Sequence, residues 1–410
     1  MKRYVIIGNG VAAAGCIEGV RSVDPEGPIT VVSAEPRPAY CRPLISYYLE
    51  GKAAPEKMNY RPDDFYDRTG CRVLYGKKAV SINPAAKTVT LDDGEALPYD
   101  ALCMAAGSAP FVPPFEGLDT VPEKYTFMTM DDALALEQAT ETPKDVLIVG
   151  AGLIGLKCAE GLSGRVKSIT VCDLADRVLS SILDEDGAKT VQTHLEQHGL
   201  RFLLGDTVVR FDGRTAHMKN GGTLSFDVLV LAVGVKPNAA LVKDAGGEVG
   251  RGIAVNERME TSLPDVYAAG DCAEGEDLSC GRRRVLAIMP NACLQGRTAG
   301  VNMAGGNASF QNAIPMNAIG FFGLHVMTAG SYTGEVFAEI TETGSKKFFT
   351  QDGLLKGFIL IGETQRAGLY TALIRNRTPL ADIDFALLRQ TATSAAFSAS
   401  ARADMFGKVV

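Results

Sequence analysis

Tryptophan is absent from the sequence, histidine occurs only four times, and positive charge is in deficit. Lysine and arginine together number 41 against 48 aspartate and glutamate residues, which gives a formal net charge of −7. This balance argues against nucleic acid or an anionic membrane as the main partner. The one basic run, Arg282-Arg283-Arg284, is short, and we interpret it as a solvated loop or strand edge.

Long apolar runs and paired cysteines are also missing. No apolar segment is long enough to span a bilayer, and the first apolar run, in MKRYVIIGNG, stops after four residues, so we expect no signal peptide. The nine cysteines include no Cys-x-x-Cys pair, and their odd number leaves one unpaired. We therefore expect reduced thiols and a cytoplasmic protein, not a disulfide framework.

The histidines do not indicate a metal site. His194 and His198 are four residues apart on an amphipathic segment, a spacing that can chelate a metal ion. No third ligand accompanies them, so we interpret the pair as part of a solvated helix face and predict no metal.

The chain begins with a strand that runs into a glycine-rich turn. Tyr4–Ile7 has the apolar pattern of a buried parallel strand, and GNGVAA follows it. Gly8 permits a tight turn, Gly10 lets the backbone approach a pyrophosphate, and Ala13 keeps the following helix close to the sheet. The pattern predicts a dinucleotide-binding loop.

The rest of this first unit follows at the expected spacing. We predict a helix over about 11–20 and a strand over 29–32, after which Glu35 stands where a carboxylate can bind ribose hydroxyls. A single such motif is weak evidence, because glycine-rich turns are common in α/β proteins.

The whole unit recurs, which makes the prediction strong. Asp145–Val149 predicts a strand, GAGLIG places Gly150, Gly152 and Gly155, and Asp173 ends the next strand. The second unit also contains a predicted helix over 153–162 and a predicted strand over 169–172. Two such units in one chain of 410 residues suggest a flavin site and a nicotinamide site in a protein of two or three domains.

Three further segments support these two sites. ALCMAAGSAP predicts a strand that closes on Gly107, and LAVGVKPN predicts one that ends at Gly234. TSLPDVYAAGDCAE predicts a strand with Asp271 at its carboxyl end, where the carboxylate can bind a chain of sugar-like hydroxyls.

These motifs resemble those of the pyridine nucleotide–disulfide oxidoreductase superfamily over nearly the full chain. The pieces that match are GNGVAA, YCRPLISYYLEG, AAGSAP, GAGLIG, LADRVL, AVGVKPN, AAGDCAE and MPNACLQGRTAG. The chain looks most similar to NADH:rubredoxin reductases, ferredoxin reductases and the flavin part of nitrite reductases.

The resemblance implies an α/β fold with two Rossmann-like dinucleotide-binding domains and a small α+β C-terminal domain. The FAD-binding domain would comprise 1–113 and 238–311, the NAD-binding domain 114–237, and a C-terminal interface domain 312–410. We expect Phe321, Phe322 and the tail after Ala381 to border a docking surface or a subunit contact.

The resemblance also implies cofactor-binding residues. For FAD these are the following: Gly8, Gly10, Val11, Ala12, Ala13, Glu35, Arg42, Pro43, Val80, Ala106, Gly107, Asp271, Pro290, Asn291 and Ala292. For the nicotinamide nucleotide they are Gly150, Gly152, Leu153, Ile154, Gly155, Asp173 and Gly234. Asp271 resembles the ribityl ligand, and Pro290 to Ala292 match a helix start whose amides point at the flavin.

The chain departs from the family pattern at three places. Ser46 is followed by Tyr47, where ferredoxin reductases have a lysine, and Lys157 stands where disulfide reductases have a glutamate. Lys157 is therefore a candidate catalytic residue or a lysine on a solvated helix position. The Cys-x-x-x-x-Cys disulfide and C-terminal His/Glu pair of glutathione-reductase-type enzymes do not occur, which excludes that reaction.

Cys41 is the second candidate catalytic residue, and it defines the main rival function. It lies near the position of the redox cysteine in NADH peroxidases and coenzyme A-disulfide reductases, but its context is YCRP and not CGLP. The leading interpretation is an FAD-dependent NADH:acceptor oxidoreductase that exchanges electrons with an iron–sulfur protein of rubredoxin or ferredoxin type, or with a redox subunit of a larger metalloenzyme complex. The alternatives are an NADH oxidase, peroxidase or coenzyme A-disulfide reductase using Cys41, and a flavin-binding sensor or scaffold subunit.

Overall fold

The computed structural model describes residues 1–341 and 344–406, and the chain forms two compact units. The first unit contains Met1–Ser181, Gln192–Glu276 and Arg283–Gln311. The second unit contains Ile182–Val191, Asp277–Arg282 and Asn312–Val410.

The first hundred or so residues contain eight strands and three helices. The strands are β1 (Tyr4–Ile7), β2 (Ile29–Ser33), β3 (Cys71–Tyr75), β4 (Ala79–Asn83), β5 (Thr88–Leu91), β6 (Ala96–Pro98), β7 (Ala101–Met104) and β8 (Ser108–Pro110). The helices are α1 (Val11–Arg21), α2 (Ile45–Leu49) and α3 (Phe65–Arg68).

The next part of the chain, to residue 311, carries the second nucleotide motif and then returns to the first sheet. Its helices are α4 (Met130–Ala139), α5 (Leu153–Leu162), α6 (Glu185–Gln197), α7 (Ala240–Asp244) and α8 (Met289–Met303). Its strands are β9 (Lys124–Tyr125), β10 (Asp145–Val149), β11 (Ser168–Asp173), β12 (Leu200–Leu204), β13 (Val208–Asp212), β14 (Thr215–Met218), β15 (Thr223–Ser225), β16 (Val228–Leu231), β17 (Val235–Pro237), β18 (Ile253–Ala254), β19 (Val266–Ala268), β20 (Ala273–Asp277) and β21 (Arg282–Arg284).

Two five-stranded parallel sheets dominate the first unit. Their strand orders are β19-β7-β1-β2-β3 and β12-β11-β10-β16-β9. In each sheet the motif strand, β1 or β10, lies between the strand that follows it and one from much later in the chain. Ligands bind outside the carboxyl ends of such strands, so each glycine loop lies at the expected crevice.

Helix α1 packs unusually closely against α8. A Cβ atom at Gly15 or Gly19 would overlap a carbonyl oxygen of α8, and one at Gly296 or Gly300 would overlap a carbonyl oxygen of α1. Glycine at four-residue spacing on both helices therefore lets the two backbones touch. This packing brings the start of α8 to the first nucleotide loop.

The second unit is built on an antiparallel sheet. Its strands are β22 (Met316–Phe321), β23 (Leu324–Gly330), β24 (Glu335–Thr341), β25 (Gly344–Gln351) and β26 (Leu354–Ile361), in the order β22-β23-β26-β25-β24. The helices α9 (Ala367–Asn376), α10 (Phe385–Gln390) and α11 (Ala399–Phe406) complete it. Phe348, Phe358 and Tyr370 form part of its buried core.

The predicted fold class is confirmed, with two local corrections. The structure has the predicted bounds for β1, β10 and α5. The strand expected to end at Gly234 stops at Leu231, because the chain turns before Gly234, which has a φ of 140°, and β17 then begins. Phe321 is fully buried, so it cannot contribute to the exposed docking surface that was expected there.

Candidate functional site

The first nucleotide loop has the backbone that close approach to a phosphate requires. Gly8 has a φ of 107°, and a Cβ there would overlap the carbonyl oxygen of Ala105. Gly10 caps α1 without a side-chain hydrogen bond, and no described atom lies within 4 Å of where its Cβ would be. The first-turn N–H groups of α1 therefore face open space, where an anion can bind.

A hydrogen-bonded network surrounds the acid that follows β2. The Tyr40 hydroxyl donates to Glu35 Oε2 at 2.8 Å, and Arg42 forms an ion pair with Glu35 Oε1. Arg42 also donates to the carbonyl oxygen of Met128 at 3.0 Å. The structure thus places the predicted residues Glu35 and Arg42 together.

Asp271 lies where the first loop and α8 meet. Gly270 precedes it with a φ of 78°, and a Cβ at Gly270 would lie 3.0 Å from Ala12 Cβ and 3.5 Å from Ala292 Cβ. Burial raises the pKa of the Asp271 carboxyl, and the positive charge of Arg42 only partly opposes this effect. A desolvated carboxylate of this kind gains from hydroxyl donors, so it suits a polyhydroxyl chain.

The start of α8 carries three of the predicted residues. Pro290 lies in the first turn, Asn291 is fully buried, and Ala292 is almost so. The cap residue, Ile288, provides no side-chain hydrogen bond, so first-turn amides remain available to a negatively charged ring.

Ala106 and Gly107 are held by a residue to which the sequence analysis assigned no role. Asn238 Nδ2 donates to the Ala106 carbonyl oxygen at 2.8 Å, and the Asn238 amide donates to the Gly107 carbonyl oxygen at 2.9 Å. Gln295 was missed in the same way, and its side chain accepts from the Gly270 amide at 2.9 Å. The only sequence signal for either residue was its position in a motif, AVGVKPN for Asn238 and MPNACLQGRTAG for Gln295. Val80 lies in a separate three-stranded sheet and is 53% exposed.

The second loop has a similar backbone to the first, and the acid of this unit is bonded to residues close to it in sequence. Gly150 has a φ of 118°, and a Cβ at Gly155 would overlap the Gly150 carbonyl oxygen. The Asp173 carboxylate accepts from the backbone amides of Ala151 at 2.6 Å and Ala175 at 2.8 Å. Gly234 directly precedes β17, and its carbonyl oxygen accepts from the Phe111 amide at 2.9 Å.

Lys157 is not a solvated helix lysine. It forms an ion pair with Glu160 one turn later, and the side chains are only 17% and 6% exposed. The Lys157 ammonium also lies 4.7 Å from the centre of the Tyr47 ring, which joins α5 to α2. The structure therefore brings together the two positions at which the chain departs from its relatives.

Cys41 is a weakly acidic thiol. Burial raises its pKa, and the nearby Arg61 charge opposes this only in part. A reactive cysteine needs the reverse balance, because the thiolate is the nucleophile.

The sequence profile of the pyridine nucleotide-disulphide oxidoreductase family matches residues 2–296. The epsilon subunit of an NADH-dependent phenylglyoxylate dehydrogenase from Aromatoleum evansii is 35% identical, with 92% of each chain covered. An assimilatory nitrate reductase electron transfer subunit from Bacillus subtilis is 33% identical over 92% of this chain, which spans only 50% of that protein. An NADH oxidase from Methanocaldococcus jannaschii is 34% identical over 75% of this chain and 71% of its own.

Solved structures share the fold. The reductase of a covalent putidaredoxin reductase–putidaredoxin complex superposes with a TM-score of 0.88 at 24% identity, covering 96% of this chain and 97% of that one. Among the described residues, no helix has the length and apolarity needed to cross a membrane.

Proposed function

The chain belongs to the pyridine nucleotide-disulphide oxidoreductase family, and from that premise we propose that it is an FAD-dependent NADH:acceptor oxidoreductase. Hydride passes between NAD(H) and FAD, and electrons pass between FAD and an iron–sulfur protein or an associated redox subunit. The observation that carries the proposal is the presence of two complete nucleotide loops, of which only the first is surrounded by Arg42, Asp271 and the start of α8.

We assign FAD to the first loop, because the residues around it fit that cofactor. Gly8 and Gly10 leave room for the pyrophosphate, Glu35 is available to the ribose, and Asp271 lacks a hydrogen-bonded partner among the described residues. The first-turn amides of α8 would stabilise negative charge on the reduced ring. When bound, the flavin supplies hydride acceptance and single-electron exchange.

We assign NADH to the second loop. Gly150, Gly152 and Gly155 allow the backbone to approach the pyrophosphate, and Asp173 would accept hydrogen bonds from ribose hydroxyls while repelling a 2′-phosphate. Arg177 is ion-paired with Asp176 at 2.9 Å, which limits its use as a counter-charge for that phosphate. The Lys157–Glu160 ion pair lies on the helix that follows this loop, where it would hold the Lys157 ammonium in place.

The proposed cofactor sites imply a division of the chain into three domains. We propose FAD binding by 1–113 and 238–311, NAD binding by 114–237, and an interface role for 312–410. Edge strand β24 supports that role, because Val336 and Ile340 are 52% and 83% exposed on the same side of the strand. An oligomer formed there should shift towards monomer in Ile340→Lys, as measured by light scattering.

We place the protein in the cytoplasm, where its nine free thiols would stay reduced. A relative that is an NADH oxidase favours one rival function, in which molecular oxygen is the acceptor. The choice of acceptor distinguishes the two.

The test begins with the purified holoprotein. Acid precipitation should release FAD into the supernatant, and anaerobic NADH should bleach the visible flavin absorbance. Steady turnover should then need a viologen-type dye or an iron–sulfur protein, with oxygen poor and coenzyme A disulfide inert. FMN in the supernatant, or faster turnover with oxygen or coenzyme A disulfide than with any one-electron acceptor, would overturn the proposal.

A further inference from the structure

Tyr40 is a buried hydroxyl with three partners. It donates to Glu35 Oε2 at 2.8 Å, and it accepts from the Met130 amide at 2.9 Å and from Arg42 Nη1 at 3.3 Å. The residue is only 8% exposed, and burial raises the pKa of its hydroxyl to about 12, so it remains a neutral donor at every physiological pH. One donor and two acceptor positions are all in use, which fixes the orientation of the hydroxyl.

The Met130 amide belongs to the first turn of α4. A helix leaves its first four N–H groups without partners inside the helix. In α4, the Thr129 side chain accepts from the Asp132 amide, and the Asp132 side chain accepts from the Met128 and Thr129 amides. Tyr40 supplies the acceptor for the Met130 amide, so it adds a further bond to the cap of a helix in the proposed NAD-binding part.

Glu35 is held from two sides that differ in mobility. Arg42 is 43% exposed at its side chain, so it can reorient towards a phosphate without disturbing the core. Tyr40 is enclosed and cannot do so. A ribose bound at Glu35 would therefore compete with Arg42, while the bond from Tyr40 to Glu35 would be retained.

We propose that Tyr40 is a positioning residue that couples occupancy of the Glu35 site by FAD to the order of the first turn of α4. The inference rests on the proposed function, since it needs FAD at the first loop. FAD at Glu35 would restrain the carboxylate in place of the mobile Arg42, and the restraint would pass through the existing bonds of the Tyr40 hydroxyl to the Met130 amide. The flavin site would in this way prepare the NAD-binding part before NADH arrives.

Hydrogen exchange tests this coupling directly. In the wild type, adding FAD to the apoprotein should slow exchange of the α4 amides from Asp131 to Leu136 by about tenfold, the upper range for one neutral hydrogen bond. Tyr40→Phe should still bind FAD, about tenfold more weakly, but should lose this FAD-dependent slowing. Tyr48→Phe is the matched control, because Tyr48 also bonds α4, at Glu137, and does not contact Glu35.

A second pair of variants tests the hydrogen bond between Tyr40 and the Met130 amide by changing Met130. Met130 is the first residue of α4, where proline is tolerated, and Met130→Pro removes only the N–H that Tyr40 accepts and the buried side chain. Met130→Ala loses the side chain and keeps the N–H. Coupling requires that Met130→Ala retain the FAD-dependent slowing and that Met130→Pro lose it.

Two failures would be distinguishable. FAD that binds the wild type without slowing exchange in α4, or equal slowing in wild type and Tyr40→Phe, would overturn the coupling alone. A wild-type protein that does not bind FAD would overturn the proposed function itself.

Discussion

Gly8–Gly10 and Gly150–Gly152 start their helices with similar backbone, yet the chain around them differs. The acid of the first unit, Glu35, is held by the side chains of Tyr40 and Arg42, whereas the described hydrogen bonds to the Asp173 carboxylate come from backbone amides. The first loop also contacts segments that are more than 250 residues away in sequence, around 270 and 292.

This difference suggests two kinds of ligand. A site assembled from distant segments depends on the whole fold and gains from a ligand that stays bound, because that ligand then stabilises the folded state. A site made within one strand–loop–helix–strand unit can bind and release its ligand without disturbing the rest. The first arrangement suits a resident FAD and the second an exchanging NADH.

The largest effect is expected at the contact between α1 and α8. A Cβ in Gly296→Ala would overlap the Ala12 carbonyl oxygen, and backbone must move at a cost of about 1–3 kcal/mol or more. Because that movement displaces the first loop, flavin content per chain should fall almost to zero and the melting temperature should drop. Gly164→Ala is the control, since no described atom lies within 4 Å of its Cβ position. Normal flavin content in Gly296→Ala would show that the helix contact does not support the site.

Asp271→Asn separates ligand binding from stability. We expect FAD affinity to fall about 10- to 100-fold, because hydrogen bonds to a charged group are replaced by weaker ones. Apoprotein stability should move the other way. The raised pKa means that the folded apoprotein favours the protonated carboxyl, so this stabilising contribution is present below about pH 4 and is lost as pH rises through the folded pKa.

The measurement is apoprotein unfolding against pH, with titration calorimetry for FAD. As pH rises from about 4 through the folded pKa of Asp271, the free energy of unfolding of the wild-type apoprotein should fall, and that of Asp271→Asn should fall less. An apoprotein variant less stable than wild type at neutral pH would mean that Asp271 is a structural acid.

Gly155→Ala makes the matching change at the second loop. Its Cβ would overlap the Gly150 carbonyl oxygen, but the affected atoms belong to the local unit. We expect KM for NADH to rise at least about tenfold, which corresponds to about 1.4 kcal/mol, while FAD content stays normal. Equal loss of both ligands would contradict the division into a distributed site and a local one.

The sequence predicted the second nucleotide site, which lies within one strand–loop–helix–strand unit, better than the first site, which is assembled from distant segments. Strand β10, helix α5 and Asp173 are read directly from residues 145–173, because apolar runs, glycine spacing and the acid all lie within a short stretch. Tyr40, Asn238 and Gln295 act through contacts across more than 20 residues, and no spacing rule gives those contacts.

The environment of an individual side chain also could not be predicted from the sequence. Lys157 had two equal interpretations until the structure showed its partners Glu160 and Tyr47. Phe321 was expected at a surface but is buried, because an apolar residue at a strand end gives no sign of which face will be covered.

Asp173→Ala tests the backbone-held acid. Removing the carboxylate should lower kcat/KM for NADH and relieve repulsion of NADPH, so the preference for NADH should narrow about two- to tenfold. The Ala151 and Ala175 amides would lose their acceptor, so stability must be checked alongside. Equal kcat/KM for the two nucleotides in the wild type would contradict the assigned role.

The smallest effect is expected at Cys41, which lies between Tyr40 and Arg42 in the chain but makes none of the described hydrogen bonds to Glu35. Because burial raises the pKa of this thiol, it stays protonated at neutral pH and offers no thiolate to a disulfide or peroxide. Cys41→Ser should keep flavin content and NADH-driven dye reduction within about tenfold, or about 1.4 kcal/mol of barrier. A long-wavelength absorbance band in the two-electron-reduced enzyme that disappears in Cys41→Ser would instead place a thiolate beside the flavin. The first site would then be a reacting centre built on this chain's own sulfur, and the oxidase, peroxidase or disulfide-reductase function would replace the one proposed.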